Sequence, residues 1–240
     1  MNWNPTWICP ANDLGDPAAV FGTSFVFEKK ITHANLTITA MGVYEARLNG
    51  RRVGQFVMAP GWTSYHKRLQ YQKYNITDLL TNGKNEIEVT VGKGWYRSPL
   101  PGWLGCAYQD ELRSRPCGLA AQITLTFEDG SSKILSTDES WKVSDGPVRF
   151  SEIYDGEIYD SAKTPLLDQP VTIFDGPTDT LILQQGEEVC EQERLAVKKV
   201  FVTPNGETVL DFGQNMTGYV ELFVNAKAGD CVDLSFAEVM

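Results

Sequence analysis

The sequence predicts an all-β protein, an antiparallel jelly-roll-like β-sandwich followed by the start of a second β-sandwich. Three observations predict this class. Short stretches alternate apolar and polar residues, as half-buried antiparallel strands do. Asn-Gly and Asp-Gly pairs, which tolerate positive φ, stand between several of these stretches. Few stretches show the periodicity of an amphipathic helix, so we expect strands joined by tight turns.

The alternating stretches give the strands in chain order. The first sandwich is predicted to contain strands at residues 25–27, 34–40, 44–48, 86–91, 121–127 and 133–135. Turns are predicted at Asn49-Gly50, Asn82-Gly83, Asp129-Gly130 and Asn205-Gly206. Three further strands are predicted near the end of the chain, at residues 208–212, 219–224 and 232–236. Three strands cannot close a sandwich, so we expect the second one to be incomplete.

Prolines mark a break in this pattern near residues 161–180, where Pro165, Pro170 and Pro177 occur. We therefore predict an N-terminal β-sandwich over residues 1–163. Residues 164–240 are predicted to be a linker and the beginning of a second sandwich. The segment 184–199 is rich in Glu and Lys and fits either a short helix or an extended crossing strand.

Composition excludes several classes of protein. The 240 residues are 42% hydrophobic and carry a net charge of −10, which argues against a nonspecific nucleic-acid binder or an anionic-membrane binder. No apolar stretch is long enough for a transmembrane helix, and the N-terminus lacks the pattern of a secretory signal. Five cysteines without metal-binding spacing indicate reduced thiols and a cytoplasmic location.

Five groups of short strings resemble the N-terminal region of bacterial α-L-rhamnosidases, glycoside hydrolase family 78. They occur in the same order over nearly the whole chain. The strings are GVYE at 42–45 with LNGRRVG at 48–54, APGWTSY at 59–65 with LQY at 69–71, GKGWYR at 92–97, SWK at 140–142 with GP at 146–147 and IYDGEIYD at 153–160, and DFGQNM at 211–216 with Gly218 and AEV at 237–239.

The resemblance implies two successive β-sandwich domains that precede a catalytic (α/α)6 barrel in the intact enzyme. Nothing in these 240 residues matches that barrel. The chain is therefore expected to be a natural or engineered N-terminal piece of an enzyme that hydrolyses terminal α-L-rhamnosyl residues, and to be inactive alone. Its expected partners are the catalytic barrel and a rhamnose-containing glycan or glycoside, with no nucleic acid and no membrane. The alternatives are a free-standing carbohydrate-binding module and a structural scaffold without a ligand.

The tightest acidic cluster is Asp155, Glu157 and Asp160. Glycoside hydrolysis uses a pair of carboxylates, so two of these side chains could be an acid and a base. The other interpretation treats all three as charges at a turn and at strand ends. Because clusters of charge are usually solvated, we favour the second interpretation and predict no catalytic residue in this chain.

The segment from Gly92 to Cys117 is the least strand-like and the most aromatic part of the chain. Long Gly/Pro-rich loops on a β-sandwich commonly carry function. This loop combines aromatic rings, on which a sugar can stack, with charged partners for sugar hydroxyls. The candidate carbohydrate-binding residues are Trp95, Tyr96, Arg97, Trp103, Asp110, Arg113 and Arg115.

The tryptophans also have structural interpretations. Trp95 directly follows a strand, and we favour a position in the sandwich core over a binding role for it. For Trp103 the two interpretations carry equal weight, and if the chain binds sugar we expect Trp103 to be the stacking ring. Trp62, which lies between strands, could cap one end of the sandwich, but a core position is favoured for it, and Trp141 is predicted to be a core residue.

No metal site is predicted. In some relatives the corresponding sandwich is a rhamnose-binding module, carbohydrate-binding module family 67, with a calcium ion at the sugar. The resemblance therefore keeps calcium as an alternative, for which Asp110 and Glu111 supply carboxylates. No spaced Asp/Asn calcium loop is visible, and our prediction is no cofactor.

Overall fold

The computed structural model describes residues 3–98, 111, 114–227 and 229–237. It divides into two compact units, residues 1–190 and 191–240. The predicted domain boundary after residue 163 stays a prediction, although a strand beyond it, Gln169–Phe174, pairs with the first strand of the chain. Within the part of the chain that is described, no helix is long and apolar enough to cross a membrane.

Unit 1 is built almost entirely of β-strands. Its strands are β1 Trp7–Pro10, β2 Ala19–Phe27, β3 Ile31–Ala40, β4 Val43–Leu48, β5 Arg51–Arg52, β6 Leu69–Asn75, β7 Gly83–Gly92, β8 Leu119–Phe127, β9 Ser132–Ser136, β10 Lys142–Ser144, β11 Val148–Glu152, β12 Gly156–Tyr159, β13 Gln169–Phe174 and β14 Leu181–Leu183. A 3-10 turn, Thr77–Leu79, and a single α-helical turn, α1 Gly94–Arg97, interrupt them.

The strands form two layers that are joined through β13. The first layer has the order β14-β6-β3-β8-β1, with β9 beside β8, and the second has the order β10-β2-β7-β4-β5. Residues 171–174 of β13 pair with β1, whereas residues 169–170 pair with β10. All of these pairs are antiparallel except β14 with β6. The prediction of an all-β antiparallel sandwich is confirmed.

Alternation along the strands places one face of each layer in a common core. On β3, Leu36 and Ile38 are fully buried, and on β7 Ile87 and Val89 face them from the other layer. Between β4 and β5 the chain reverses over Asn49 and Gly50, which have φ of +52° and +76°. That is the two-residue turn that the Asn-Gly pair predicts, because both positions require positive φ.

Unit 2 contains one hairpin, β15 Lys199–Val202 with β16 Thr208–Asp211, among its described residues. The predictions of strands at 219–224 and 232–236 are wrong, since the structure forms no strand there. Alternation records which residues could face a core, but a strand also needs a neighbouring strand for its hydrogen bonds. The segment 184–198 forms neither a helix nor a strand.

The hairpin of β11 and β12 is a separate two-stranded sheet. Glu152, at the end of β11, is buried, and its Oε2 accepts hydrogen bonds from the backbone N–H of Tyr154 at 2.6 Å and of Asp155 at 2.7 Å. Burial raises the pKa of the Glu152 carboxyl, but the Ser98 hydroxyl and these amides outweigh it and lower the pKa below its ordinary value. The carboxylate therefore fixes the turn of the hairpin.

Trp141 should be a large contributor to stability, as the sequence predicts for a core residue. Its ring is 4% exposed inside the main core, and its Nε1 donates to the Ser136 carbonyl at 3.3 Å. We expect Trp141→Ala to lower the free energy of unfolding by about 3–5 kcal/mol, because it leaves a cavity. Val26→Ala, at an exposed strand position, is the matched control. Equal urea midpoints for the two variants would contradict this assignment.

Glu152 should contribute stability that depends on pH. Because its folded-state pKa is lowered, the contribution is present above the unfolded-state pKa and disappears as the pH falls through the folded-state pKa. We expect Glu152→Gln to cost about 1–2 kcal/mol at pH 7 and progressively less toward pH 3. Urea unfolding at several pH values measures the difference. Glu157→Gln, on the exposed strand β12, is the control and should change stability little at pH 7.

Candidate functional site

Two chain segments meet through aromatic rings beside the first layer. One is the loop that precedes β6, with Trp62 and Tyr65, and the other is α1, with Trp95 and Tyr96. The rings of Trp62 and Trp95 stack with centroids 6.0 Å apart and an interplanar angle of 8°. Tyr65 meets Tyr96 edge to face at 5.1 Å. Each segment contributes one ring to each pair, so the two segments hold each other in place.

A glycine makes the close approach of α1 possible. Gly94 begins the helical turn with a φ of +53°, and a Cβ there would lie 2.7 Å from both the backbone N and the Cγ1 of Val43 on β4. A side chain would therefore push the turn away from the sheet. Gly94 is therefore a structural requirement for placing the two rings of α1.

Arg115 completes the site. Its guanidinium lies over the Tyr96 ring, 5.0 Å from the centroid, and its Nη1 donates to the Tyr96 carbonyl at 3.2 Å. Its Nη2 donates to Glu111 at 2.9 Å and lies 3.2 Å from His66 Nε2. Burial raises the pKa of the Tyr96 hydroxyl, and Arg115 opposes that rise. We call the site formed by Trp62, Tyr65, Trp95, Tyr96 and Arg115 the aromatic cleft.

The cleft contains a cavity of about 260 Å³, to which Tyr65, Tyr96 and Arg115 contribute, whereas the stacked indoles are not part of its lining. Aromatic and polar groups both reach the cavity, which is lined mainly by Tyr65, His66, Leu69, Tyr96, Arg115 and Thr180. The Thr180 hydroxyl oxygen is buried and has no hydrogen-bond partner among the described residues. A buried hydroxyl without a partner is costly, so a ligand hydroxyl here would satisfy it.

A small apolar cluster supports the cleft from below. Trp7, Met41 and Leu69 are buried on the outer side of the first layer, and Tyr65 and Tyr96 pack against them. The Trp7 Nε1 donates to the Pro177 carbonyl at 3.0 Å, and the Leu69 N–H donates to the Thr180 carbonyl at 2.9 Å. These contacts place the segment from Pro177 to Thr180 against the cavity.

Four of the predicted site residues lie among the described residues, and three of these four form part of the cleft. Trp95, Tyr96 and Arg115 lie together in it. Arg97 follows them on α1 but lines a different cavity, beside Cys9 and Cys117. The predicted Trp103, Asp110 and Arg113 lie outside the described residues.

Two expectations about tryptophans are corrected. Trp95 is half-buried and stacks on Trp62 instead of filling the sandwich core. Trp62 is 59% exposed, so the prediction of a core residue is wrong. Its position on a loop, and not on the inner face of a strand, leaves only one ring face covered. The sequence analysis missed Trp62, Tyr65, His66 and Thr180 as site residues. The first two belong to the string APGWTSY, which resembles the family, and that was the available signal.

The residues do not assemble a metal centre in the part of the chain that the structure describes. No three His, Cys, Asp or Glu side chains come close enough there to hold an ion. Glu111, considered above as a calcium ligand, binds Arg115. Burial raises the pKa of the Cys117 thiol to about 11, which disfavours the thiolate that a metal would need. The calcium alternative depends on Asp110 and stays a prediction.

The acidic cluster lies away from the cleft residues in the chain, on the hairpin of β11 and β12. Asp155 is in the turn, Glu157 is on β12 and Asp160 follows it, and all three are exposed. Their exposure is what the interpretation as charges at a turn and at strand ends expects.

Comparison with known proteins first defines the class, which is the N-terminal region of bacterial α-L-rhamnosidases. The family model of the α-L-rhamnosidase N-terminal domain matches residues 29–193. The model of the bacterial α-L-rhamnosidase concanavalin-like domain matches residues 201–240. Since the first match covers more than half of the chain, the protein belongs to the α-L-rhamnosidase N-terminal domain family.

Individual relatives agree with this assignment. An α-L-rhamnosidase of Streptomyces avermitilis is 36% identical over 223 residues, which are 88% of this chain and 21% of the relative. The crystal structure of the native Aspergillus terreus α-L-rhamnosidase matches with a TM-score of 0.79 and 37% identity, over 88% of this chain and 26% of that one. The structure of the Streptomyces avermitilis α-L-rhamnosidase complexed with L-rhamnose matches with a TM-score of 0.72 and 34% identity, over 83% and 20% of the two chains. This chain thus spans about a fifth to a quarter of the length of these relatives.

The geometry of α1 predicts that Gly94→Ala will disrupt the cleft. We expect the variant to separate Trp62 from Trp95 and to weaken the near-ultraviolet circular dichroism of the stacked indoles. Gly130→Ala is the control, because Gly130 also has positive φ, +78°, but a Cβ there would meet no atom within 4 Å. The control should lose about 1 kcal/mol of stability from backbone strain and keep the indole signal. An unchanged signal in Gly94→Ala would contradict the structural role of this glycine.

Proposed function

We propose that this chain is an accessory part of an α-L-rhamnosidase and binds a rhamnose-containing glycan or glycoside in the aromatic cleft. The observation that carries the proposal is a cavity lined by Tyr65 and Tyr96 that contains an unpartnered buried hydroxyl, formed by the same two segments that stack Trp62 on Trp95. In this proposal the remainder of the enzyme hydrolyses terminal α-L-rhamnosyl residues. The chain alone has no activity on an aryl α-L-rhamnoside and acts in the cytoplasm.

The chemistry of the cleft favours a sugar. A pyranose has an apolar C–H face, and the outer face of Trp62 is open to receive it. Sugar hydroxyls need both hydrogen-bond donors and hydrogen-bond acceptors as partners. The buried Thr180 hydroxyl can donate or accept, and His66 offers a ring nitrogen at the rim of the cavity.

The size of the cavity favours one sugar unit over a longer chain. Sites for drug-sized ligands occupy about 300–1,000 Å³, and this cavity is slightly smaller. The Streptomyces avermitilis relative was crystallised in complex with L-rhamnose. L-Rhamnose is therefore the first ligand to test on this chain.

One observation favours the alternative of a scaffold without a ligand. Arg115 already binds Tyr96 and Glu111, so the strongest cation in the cleft is occupied within the protein. In this alternative the aromatic pairs only fasten the loop to α1. Binding of L-rhamnose separates the two functions.

Calorimetric titration with L-rhamnose tests the proposal, with Trp62→Ala as the main variant. Stacking one sugar ring on an indole buries roughly 100 Å², on the order of 2 kcal/mol. We therefore expect Trp62→Ala to weaken binding about thirtyfold. Ile134→Ala, at a position of similar exposure on β9, should bind like the parent.

Two further measurements complete this test. Trp103→Ala shows whether the ring predicted from sequence contacts the sugar. If only this variant loses affinity for L-rhamnose, the sugar stacks on Trp103 and not on Trp62. Titration with and without calcium tests the alternative of a metal at the sugar. If the parent chain does not bind L-rhamnose under either condition, the scaffold function replaces the binding function.

A further inference from the structure

The hairpin of β11 and β12 exposes apolar side chains that no described residue of unit 1 covers. Ile158 is 61% exposed and Tyr159 is 60% exposed, and Tyr154 in the turn is about half exposed. Successive strand residues point to opposite faces, so Ile158 and Tyr159 place apolar groups on both faces of β12. An element that is apolar on both faces is suited to enter a groove, whereas an element with one apolar face is suited to lie on a flat surface.

The hairpin is fastened to the sandwich at its base. The Ala18 N–H donates to the Val148 carbonyl at 3.0 Å, and the Lys93 ammonium lies 4.9 Å from the centre of the Phe150 ring. The buried Glu152 carboxylate holds the turn at the other end. An isolated two-stranded hairpin is marginally stable in water, so these contacts keep the exposed residues in one arrangement.

The charge of the hairpin indicates the charge of the surface that it fits. Asp155, Glu157 and Asp160 are exposed, and the cation of β11, Arg149, is paired with Asp145 at 2.6 Å. A second copy of this chain would bring like charges together, which is unfavourable. The occupant therefore combines an apolar groove with Arg or Lys side chains at its rim.

We propose that this hairpin inserts into a basic-rimmed apolar groove on the remaining part of an α-L-rhamnosidase polypeptide and fixes the accessory region to it. The proposal rests on the proposed function, because the relatives carry about three-quarters or more of their length outside the region matched here. It does not depend on sugar binding in the cleft.

Hydrogen–deuterium exchange of the hairpin amides tests the docking. The chain is measured alone and within a hybrid enzyme in which it replaces the matched region of the Streptomyces avermitilis α-L-rhamnosidase. We expect exchange at residues 153–160 to be at least tenfold slower in the hybrid. The double variant Ile158→Lys, Tyr159→Lys should abolish this protection and leave the melting temperature of the chain alone unchanged. Ile134→Lys, at an equally exposed apolar position on β9, should preserve the protection.

Equal exchange in the chain and in a folded, active hybrid would overturn the proposal, as would protection that survives the double variant. If the hybrid does not fold, the same exchange measurement is made on the intact Streptomyces avermitilis enzyme. Lysine substitutions at its two positions that align with Ile158 and Tyr159 then decide the matter in the same way. Failure of L-rhamnose to bind the cleft leaves these outcomes unaffected, so the two proposals fail separately.

Discussion

The pairing of β13 with both layers is the constraint on which the rest of unit 1 depends. One end of this strand pairs with β10 of the second layer, and the other end pairs with β1 of the first. The strand is therefore part of both sheets and closes one side of the sandwich. Its continuation brings Pro177 and Thr180 to the outer face of the first layer, where they contact Trp7 and Leu69. The cavity of the cleft acquires one of its walls in this way.

The aromatic cleft is assembled by contacts between segments that are far apart in the chain. The loop before β6 and α1 after β7 are joined by ring pairs, and Arg115 covers Tyr96 from a third segment. A small apolar cluster around Trp7 lies beneath them, separate from the main core. The cleft is thus supported by an apolar cluster of its own.

Two surfaces of the same unit carry different chemistry. The cleft combines aromatic faces with Arg115 and His66, which suits a neutral polar ligand with an apolar face. The hairpin of β11 and β12 combines exposed apolar residues with three carboxylates, which suits a basic protein surface. The two surfaces lie on different elements of unit 1, so substitutions can test the proposed sugar binding and the proposed docking separately.

The sequence by itself determined the fold class and six strands of the first sandwich, β2, β3, β4, β7, β8 and β9. Alternating residues such as those of β3 and β8 have a period of two, and Asn49-Gly50 tolerates the φ angles of a tight turn, so local chemistry decides these elements. It also determined the family, because the short strings keep their order. The tertiary structure decided the exposure of Trp62, the position of Arg97 at a second cavity, and the absence of strands at 219–224 and 232–236. These features depend on contacts between distant segments: a ring is buried, or a strand is formed, only when a partner from elsewhere in the chain lies beside it.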